Sequence, residues 1–210
     1  MLYFFCHWFV KITGYIPQRI MFRTKIHYED KNVQSRRIRS KAIVVCNHNS
    51  LMDVGVLMFV FPTRTLRCAV AELLYRKNIF MTALLCGLGC IRVDRGSFDF
   101  SFVGKLKRIL DRGGVVEIYP EARLPQKGEQ RPLPFKPSYV HLALQADAPI
   151  IPVYCNGKMG FRHRTEVVIG KPIDARSMYD GSLSEKENAL LINEYVRSKI
   201  VELGKDIEEG

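Results

Sequence analysis

The chain has 210 residues, of which 47% are hydrophobic and 25% are charged. This length suits one folded domain, and the composition excludes a disordered or low-complexity chain. The formal net charge of +11 is concentrated near the start, because residues 1–41 carry nine basic side chains against two acidic ones. We therefore predict one globular domain whose first segment is attracted to negatively charged partners.

The first segment of the chain is both apolar and basic. Residues 1–10 (MLYFFCHWFV) are almost wholly apolar and aromatic, but Lys11, Pro17 and Arg19 interrupt the pattern that follows. Ten apolar residues are too few to cross a hydrocarbon core, which needs about 20, and charge that follows the apolar run disfavours a signal peptide. Such a segment is typical of the membrane interface, where basic side chains meet anionic headgroups. We predict residues 1–40 as a membrane-associating helical segment, with a helix docked on the core as the alternative.

Short β-branched segments and longer helical segments alternate along the rest of the chain. Strands are predicted at residues 42–46, 65–70, 90–94, 115–119, 150–154 and 166–169. Helices are predicted at residues 48–61, 74–85, 98–112, 139–145 and 184–203. This alternation indicates an α/β domain over residues 41–210, with a mostly parallel or mixed sheet covered by helices on both faces.

The end of the first predicted strand carries the clearest chemical signal. His48 and Asp53 lie five positions apart in residues 47–53 (NHNSLMD). A carboxylate on one imidazole nitrogen fixes the tautomer and stabilises the imidazolium, so the other nitrogen can accept a proton from a hydroxyl. The two side chains can meet only if a turn runs into a helix, because a five-residue step on a straight helix separates them. The spacing predicts a general base, and a polar loop with local backbone hydrogen bonds is the alternative.

Three further segments follow in order: residues 89–95 (GCIRVDR), 119–123 (YPEAR) and 148–153 (APIIPV). Together with residues 47–53 they resemble the four motifs of the 1-acyl-glycerol-3-phosphate acyltransferase family, over roughly residues 41–174. The third motif is one residue shorter than the family's usual FPEGTR. The resemblance implies transfer of an acyl group from a thioester donor to the hydroxyl of a lysophospholipid-type acceptor.

The resemblance also implies roles for individual residues. His48 is predicted as the general base, and Asp53 orients it. Arg95 and Arg123 are candidates for binding the phosphate of the acceptor, because a guanidinium group matches phosphate oxygens in a bidentate way. Ordinary ion pairs are the alternative role for both arginines. Glu121 is predicted to orient the glycerol hydroxyl or to hold an arginine in place.

Several other kinds of site are not expected. A covalent acyl-enzyme is disfavoured because no Gly-x-Ser-x-Gly elbow is present, so Ser50 is assigned to local hydrogen bonds. The six cysteines have no metal-ligand spacing and are predicted as reduced core residues, without a zinc site. No cofactor is expected besides the donor substrate, which is acyl-CoA or acyl carrier protein.

We therefore predict an enzyme of phospholipid biosynthesis that acylates 1-acyl-glycerol-3-phosphate. Its predicted location is peripheral or monotopic, on the cytoplasmic face of a membrane with anionic lipids. Another lysophospholipid, an amino-lipid or glycerol 3-phosphate is the alternative acceptor. A non-catalytic basic module for membranes or nucleic acid would explain the charge, but not His48, Asp53 and Glu121 at strand ends. Nucleic acid is not expected as a partner, because no aromatic-interleaved basic platform is present.

Two uncharged stretches, residues 54–62 and 79–91, are apolar on all sides. Such stretches indicate buried core. They lie directly after His48 and before Arg95, so walls of a slot for an acyl chain are an equal alternative.

Overall fold

The structure, a computed structural model, describes residues 2–93, 101–160 and 162–208. Within these ranges seven strands form one sheet in the order β1-β7-β6-β2-β5-β3-β4. The strands are β1 (Lys25–Tyr28), β2 (Ala42–Cys46), β3 (Leu66–Ala71), β4 (Ile91–Val93), β5 (Val115–Ile118), β6 (Ile150–Cys155) and β7 (Glu166–Ile169). The helices in the same ranges are α1 (Leu2–Thr13), α2 (Tyr15–Phe22), α3 (Asp53–Val60), α4 (Glu72–Tyr75), α5 (Ile79–Gly87), α6 (Ser101–Asp111), α7 (Ser138–Ala146) and α8 (Glu185–Glu208).

The sheet is mixed, as predicted, because β6 and β7 pair antiparallel while the other neighbours pair parallel. Strand β1 was not predicted. It pairs with β7, with Lys25 opposite Glu166. Since β7 runs opposite to β6, β1 also runs opposite to β2. The start of β1 therefore lies at the same edge of the sheet as the end of β2.

Two apolar layers cover the sheet, so the prediction of helices on both faces is confirmed. Strand β2 is buried on both sides: Ile43 belongs to one layer, while Val44 belongs to the other. Alternation of this kind follows from the two-residue period of a strand. Helices α6, α7 and α8 pack on the first layer, whereas α3 and the ends of α2 and α5 pack on the second.

Two helices differ from the predicted boundaries for local reasons. The predicted helix at 48–61 begins only at Asp53, because the residues before it form a turn. The predicted helix at 74–85 is divided into α4 and α5. Asn78 starts α5, since its side-chain oxygen accepts a hydrogen bond from the backbone N–H of Met81 at 2.7 Å.

The prediction of buried core for residues 79–91 was wrong for the start of α5, where Ile79 and Phe80 are 78% and 83% exposed. The six cysteines are free thiols. The prediction that all of them lie in the core was also wrong: Cys86 is exposed, and the fully buried ones are Cys46, Cys68 and Cys155.

The N-terminal helices are docked on the domain through one side. Lys11 is buried and donates hydrogen bonds to the carbonyl oxygens of Phe61, Pro62 and Arg64 at 2.8, 3.2 and 2.5 Å. Burial lowers the pKa of Lys11 to about 8. The other side of these helices is apolar and faces outward. Among the described residues, no helix has both the length and the apolar composition needed to cross a membrane.

Candidate active site

The predicted base and the third motif lie side by side at one edge of the sheet. His48 follows β2 and Glu121 follows β5, and these two strands are parallel neighbours. The carboxyl ends of neighbouring parallel strands meet at one edge, where α/β proteins place their chemistry. The structure thus brings His48 and Glu121 together although they are far apart in sequence.

His48 and Asp53 are in contact. Nδ1 of His48 lies 3.1 Å from Oδ2 of Asp53, and Asp53 is fully buried. The same carboxylate oxygen accepts the backbone N–H groups of Asn49 and Ser50, both at 2.8 Å. These bonds close the turn that leads into α3. The orienting role and the local backbone role, expected as alternatives, therefore coexist in one carboxylate.

Glu121 holds the backbone around the base. Its Oε1 accepts the backbone N–H of His48 at 2.7 Å, and its Oε2 accepts that of Leu133 at 2.8 Å. Burial raises the pKa of Glu121, while these two hydrogen bonds oppose the rise. Among the described residues, the carboxylate is thus bonded to backbone N–H groups and not to an arginine. The next residue, Ala122, has φ of +62°, in the left-handed region where the family motif usually has glycine.

The ring of Tyr119 packs against the imidazole of His48, and Glu117 holds Tyr119. Neither role was predicted from the sequence. The rings of Tyr119 and His48 are 4.4 Å apart, with 33° between their planes. The hydroxyl of Tyr119 donates to Oε1 of Glu117, which is buried in β5. Burial raises the pKa of Glu117 to about 8. The available signal was a single glutamate inside an otherwise apolar strand, two positions before the tyrosine.

The first motif is also tied to the end of β6, next to the fourth motif. The side chain of Asn47 bonds to both backbone polar groups of Cys155, at 2.7 and 2.8 Å. Asn49 donates to the same carbonyl oxygen at 2.9 Å. These bonds fix the loop that carries His48, so β6 contributes to the site by positioning this loop.

A pocket of about 220 Å³ opens beside His48. Most of its lining is apolar and comes from β3, α4 and the start of α3. The lining residues are His48, Leu51, Val54, Cys68, Ala69, Val70, Ala71, Leu73, Leu74, Tyr119, Ala122, Arg123 and Leu124. Of the two apolar stretches predicted as slot walls, residues 54–62 contribute Val54 and residues 79–91 contribute nothing to this pocket.

The two predicted phosphate ligands differ in what the structure describes. Arg123 lines the pocket, but its guanidinium group forms a bidentate ion pair with Glu129, with both N–O distances 2.7 Å. This pair and a backbone hydrogen bond lower the pKa of Glu129 to about 2. The ordinary ion pair, expected as the alternative role of Arg123, is therefore present, and its partner is Glu129. Arg95 lies outside the described residues.

Comparison with known proteins gives one consistent family. A model of the family described as Acyltransferase matches residues 25–156. The chain is 29% identical over 145 residues to 1-acyl-sn-glycerol-3-phosphate acyltransferase beta of Homo sapiens, covering 69% of this chain and 51% of that protein. It is 32% identical over 125 residues to the alpha protein of Mus musculus, covering 59% and 43%. The chain therefore spans about half the length of these curated relatives, or less.

A solved structure has the same fold. It is the 1-acyl-sn-glycerophosphate (LPA) acyltransferase PlsC from Thermotoga maritima, with a TM-score of 0.62 and 21% sequence identity. The match covers 97% of this chain and 80% of that chain.

Proposed function

The chain belongs to the Acyltransferase family, and on this premise we propose that it transfers an acyl group from a thioester donor to the free hydroxyl of 1-acyl-glycerol-3-phosphate. Membership confirms the resemblance carried by the four motifs. The observation that supports the reaction most directly is the 3.1 Å contact between His48 and Asp53 at the sheet edge. The names of the relatives support the acceptor.

In the proposed reaction His48 acts as the general base. Its Nδ1 faces Asp53, which leaves Nε2 to accept the proton of the acceptor hydroxyl. The hydroxyl oxygen attacks the thioester carbonyl carbon, and collapse of the tetrahedral intermediate breaks the carbon–sulfur bond. The imidazolium then returns its proton to the leaving thiolate. Glu121 keeps His48 in place through the backbone, so it acts as a positioning residue.

The pocket beside His48 suits the acyl part of the substrates, because its lining is largely apolar. Arg123 at its rim is one candidate for the phosphate of the acceptor. To bind phosphate, Arg123 has to exchange its bidentate contact with Glu129 for phosphate oxygens, which offer the same geometry. Arg95 remains the second candidate.

We further propose that the domain works at the cytoplasmic face of a membrane with anionic lipids. Helices α1 and α5 line an apolar groove of about 420 Å³, to which Phe5, Phe9 and Leu84 contribute. Further apolar side chains on α1, α2 and α5 are exposed around it. They include Phe4, Ile12, Ile16, Ile20, Ile79 and Phe80. Large exposed apolar surfaces rimmed by basic residues are typical of membrane contact.

An acyl-transfer assay with a panel of acceptors tests this proposal. The panel pairs 1-acyl-glycerol-3-phosphate, other lysophospholipids, an amino-lipid and glycerol 3-phosphate with acyl-CoA or acyl carrier protein as donor. We expect a product heavier by one acyl group, formed fastest with 1-acyl-glycerol-3-phosphate. Faster acylation of another acceptor would correct the substrate. No acylated product with any pair would contradict the proposed function.

A further inference from the structure

A second pocket, rich in arginine, lies at the C-terminal end of α3, whereas His48 lies next to the N-terminal end of that helix. Its volume is about 390 Å³, and it lies between α2, β1, the end of α3 and the segment before β7. Four of its lining residues are arginines and none is acidic. The complete lining is Tyr15, Gln18, Arg19, Arg23, Thr24, Ile26, Arg36, Phe59, Val60 and Arg164.

Backbone hydrogen bonds assemble this pocket from distant parts of the chain. The N–H of Thr165 donates to the carbonyl oxygen of Phe22 at 3.0 Å, and the N–H of Lys25 donates to the carbonyl oxygen of Thr165 at 2.9 Å. These bonds hold Arg164 next to Arg23, although the two are far apart in sequence. The pocket is therefore a product of the fold and not of the basic N-terminal segment alone.

Arg36 is fixed at the pocket wall by the end of α3. Its Nε donates to the carbonyl oxygen of Val60 and its Nη2 to that of Phe59, both at 2.8 Å. A cation at a helix C-terminus is favoured by the exposed carbonyl groups there. This arginine thus has a fixed orientation before any ligand arrives, which lowers the entropic cost of binding.

The positive charges of the pocket favour binding of an anion. Within the described part of the chain, Arg19, Arg36 and Arg164 form no ion pair with a carboxylate. Arg19 is instead oriented by the hydroxyl of Tyr15 at 3.0 Å. Like charges gathered in one pocket repel each other, and an anion with several oxygens relieves that repulsion. Guanidinium groups are suited to phosphate oxygens in particular.

The position of the pocket indicates where that phosphate comes from. Ile16 and Ile20, on the same helix as Arg19, are 68% and 56% exposed. An exposed apolar side beside a basic pocket matches the boundary between acyl chains and headgroups. Resting on the membrane location proposed above, we propose that this pocket binds the headgroup phosphate of an anionic phospholipid. Because β1 starts at the same sheet edge as His48, a lipid bound here turns the catalytic edge toward the bilayer.

Two double variants with equal loss of charge test the pocket. Arg19→Gln with Arg164→Gln removes two pocket arginines and leaves Arg36, which the α3 carbonyls need. Arg37→Gln with Arg39→Gln is the control, because both residues are exposed in the same basic segment and lie outside the pocket. Binding of the full chain is measured by sedimentation with vesicles of phosphatidylcholine alone and of equimolar phosphatidylcholine and phosphatidylglycerol.

We expect the pocket variant to bind the phosphatidylglycerol vesicles about 25-fold more weakly than the unchanged protein, because it lacks two basic residues and each basic residue near anionic lipid strengthens binding about fivefold. The control is expected to change binding by less than about threefold. Equal losses in both variants would overturn the proposal, since the attraction would then be diffuse. Equal binding by the pocket variant and the unchanged protein would overturn it as well.

Adding inorganic phosphate distinguishes a site for free phosphate from a site for the phosphate of a lipid headgroup. If phosphate raises the melting temperature of the unchanged protein but not of the pocket variant, while both sediment equally with vesicles, the pocket binds free phosphate and the lipid proposal is wrong.

Turnover of a short, water-soluble acceptor should be equal in both proteins. Loss of that turnover in the pocket variant, with vesicle binding kept, would assign the pocket to a substrate and overturn the lipid site. If neither protein transfers acyl groups, the proposed function fails, but the vesicle comparison still decides the pocket.

Discussion

At the scale of single residues, the carboxylate of Asp53 combines structure and chemistry. It accepts two backbone N–H groups at the entry to α3 and contacts the imidazole of His48. We expect Asp53→Asn to lower kcat at least about 100-fold, because the amide can no longer stabilise the imidazolium or select its tautomer. Loss of a charged acceptor should also lower the melting temperature. Steady-state kinetics and thermal unfolding measure the two effects.

Ser50→Ala is the matched control within the same turn. The hydroxyl of Ser50 accepts only the backbone N–H of Met52, at 3.2 Å, among the described residues. We expect turnover within a few-fold of the unchanged protein. If Asp53→Asn lowers the melting temperature but leaves turnover intact, Asp53 only stabilises the start of α3 and has no role in catalysis.

Arg123 tests the assignment of the acceptor phosphate. We expect Arg123→Ala to raise KM for the phosphate-bearing acceptor more than KM for the acyl donor. Glu129→Gln breaks the same ion pair but keeps the arginine, so it should leave the acceptor KM unchanged or lower it. Kinetics with each substrate varied in turn gives both values. Equal increases in the acceptor KM for the two variants would show that the ion pair only orders the loop.

Glu117 gives a prediction about pH. Its pKa is about 8 in the folded protein against 4.5 ordinarily, so the folded state holds a proton that the unfolded state releases. Stability therefore falls as pH rises between these values, by up to about 1.4 kcal/mol per pH unit. Glu117→Gln removes this loss. The melting temperature of the variant relative to the unchanged protein should thus increase from about pH 5 to about pH 8 and then level off.

The described charged or titratable groups that interact with Glu117 are Lys11, Asp53, Tyr119 and the thiols of Cys46, Cys68 and Cys90. Because they are present in both proteins, the difference between the two melting curves isolates Glu117. If the difference in melting temperature between Glu117→Gln and the unchanged protein stays constant from about pH 5 to about pH 8, the carboxyl group of Glu117 is not held neutral by burial.

At the scale of elements, α1 and α2 are both docked and exposed. Deleting them would remove Lys11 and the buried residue His7 from the core, so surface substitutions are the cleaner test. We expect Ile12→Ser with Ile16→Ser to weaken vesicle binding at least about tenfold, since shallow insertion depends on exposed apolar area. Binding of the unchanged protein should weaken with added salt but persist, because salt screens only the electrostatic part.

Leu190→Ser with Leu191→Ser is the control for that measurement. Both leucines are exposed on α8, away from the N-terminal helices. If both double variants bind vesicles as well as the unchanged protein, the membrane contact lies elsewhere.

The elements that the sequence predicted correctly are those whose burial leaves a local pattern. Strands β2 and β6 are buried throughout, and the start of α8, predicted at residue 184, has a capping box between Ser184 and Glu187. Strand β1 was missed because it is short, mixes polar and apolar residues, and pairs on one side only. The pair of His48 and Asp53 is local and could be predicted. The support from Tyr119 and the arginine pocket depend on contacts between distant segments, which the sequence alone does not give.

At the scale of the whole molecule, one edge of the sheet gathers the chemistry. His48, Asp53 and Glu121 meet there because β2 and β5 are parallel neighbours, and the reversal at β7 brings the start of β1 to the same edge. In the proposed membrane location, the exposed apolar sides of α1, α2 and α5 face the bilayer. We expect the acyl chain of a membrane lysolipid to reach the pocket beside His48 without leaving the interface.

We propose His48 as the base of the acyl transfer, and its substitution tests the reaction most directly. The most direct measurement is kcat/KM for acylation of 1-acyl-glycerol-3-phosphate by the unchanged protein and by His48→Ala, with melting temperatures to show that both are folded. We expect a loss of about 10²–10⁴-fold in kcat/KM with little change in melting temperature. Activity of a folded His48→Ala variant within a few-fold of the unchanged protein would contradict it.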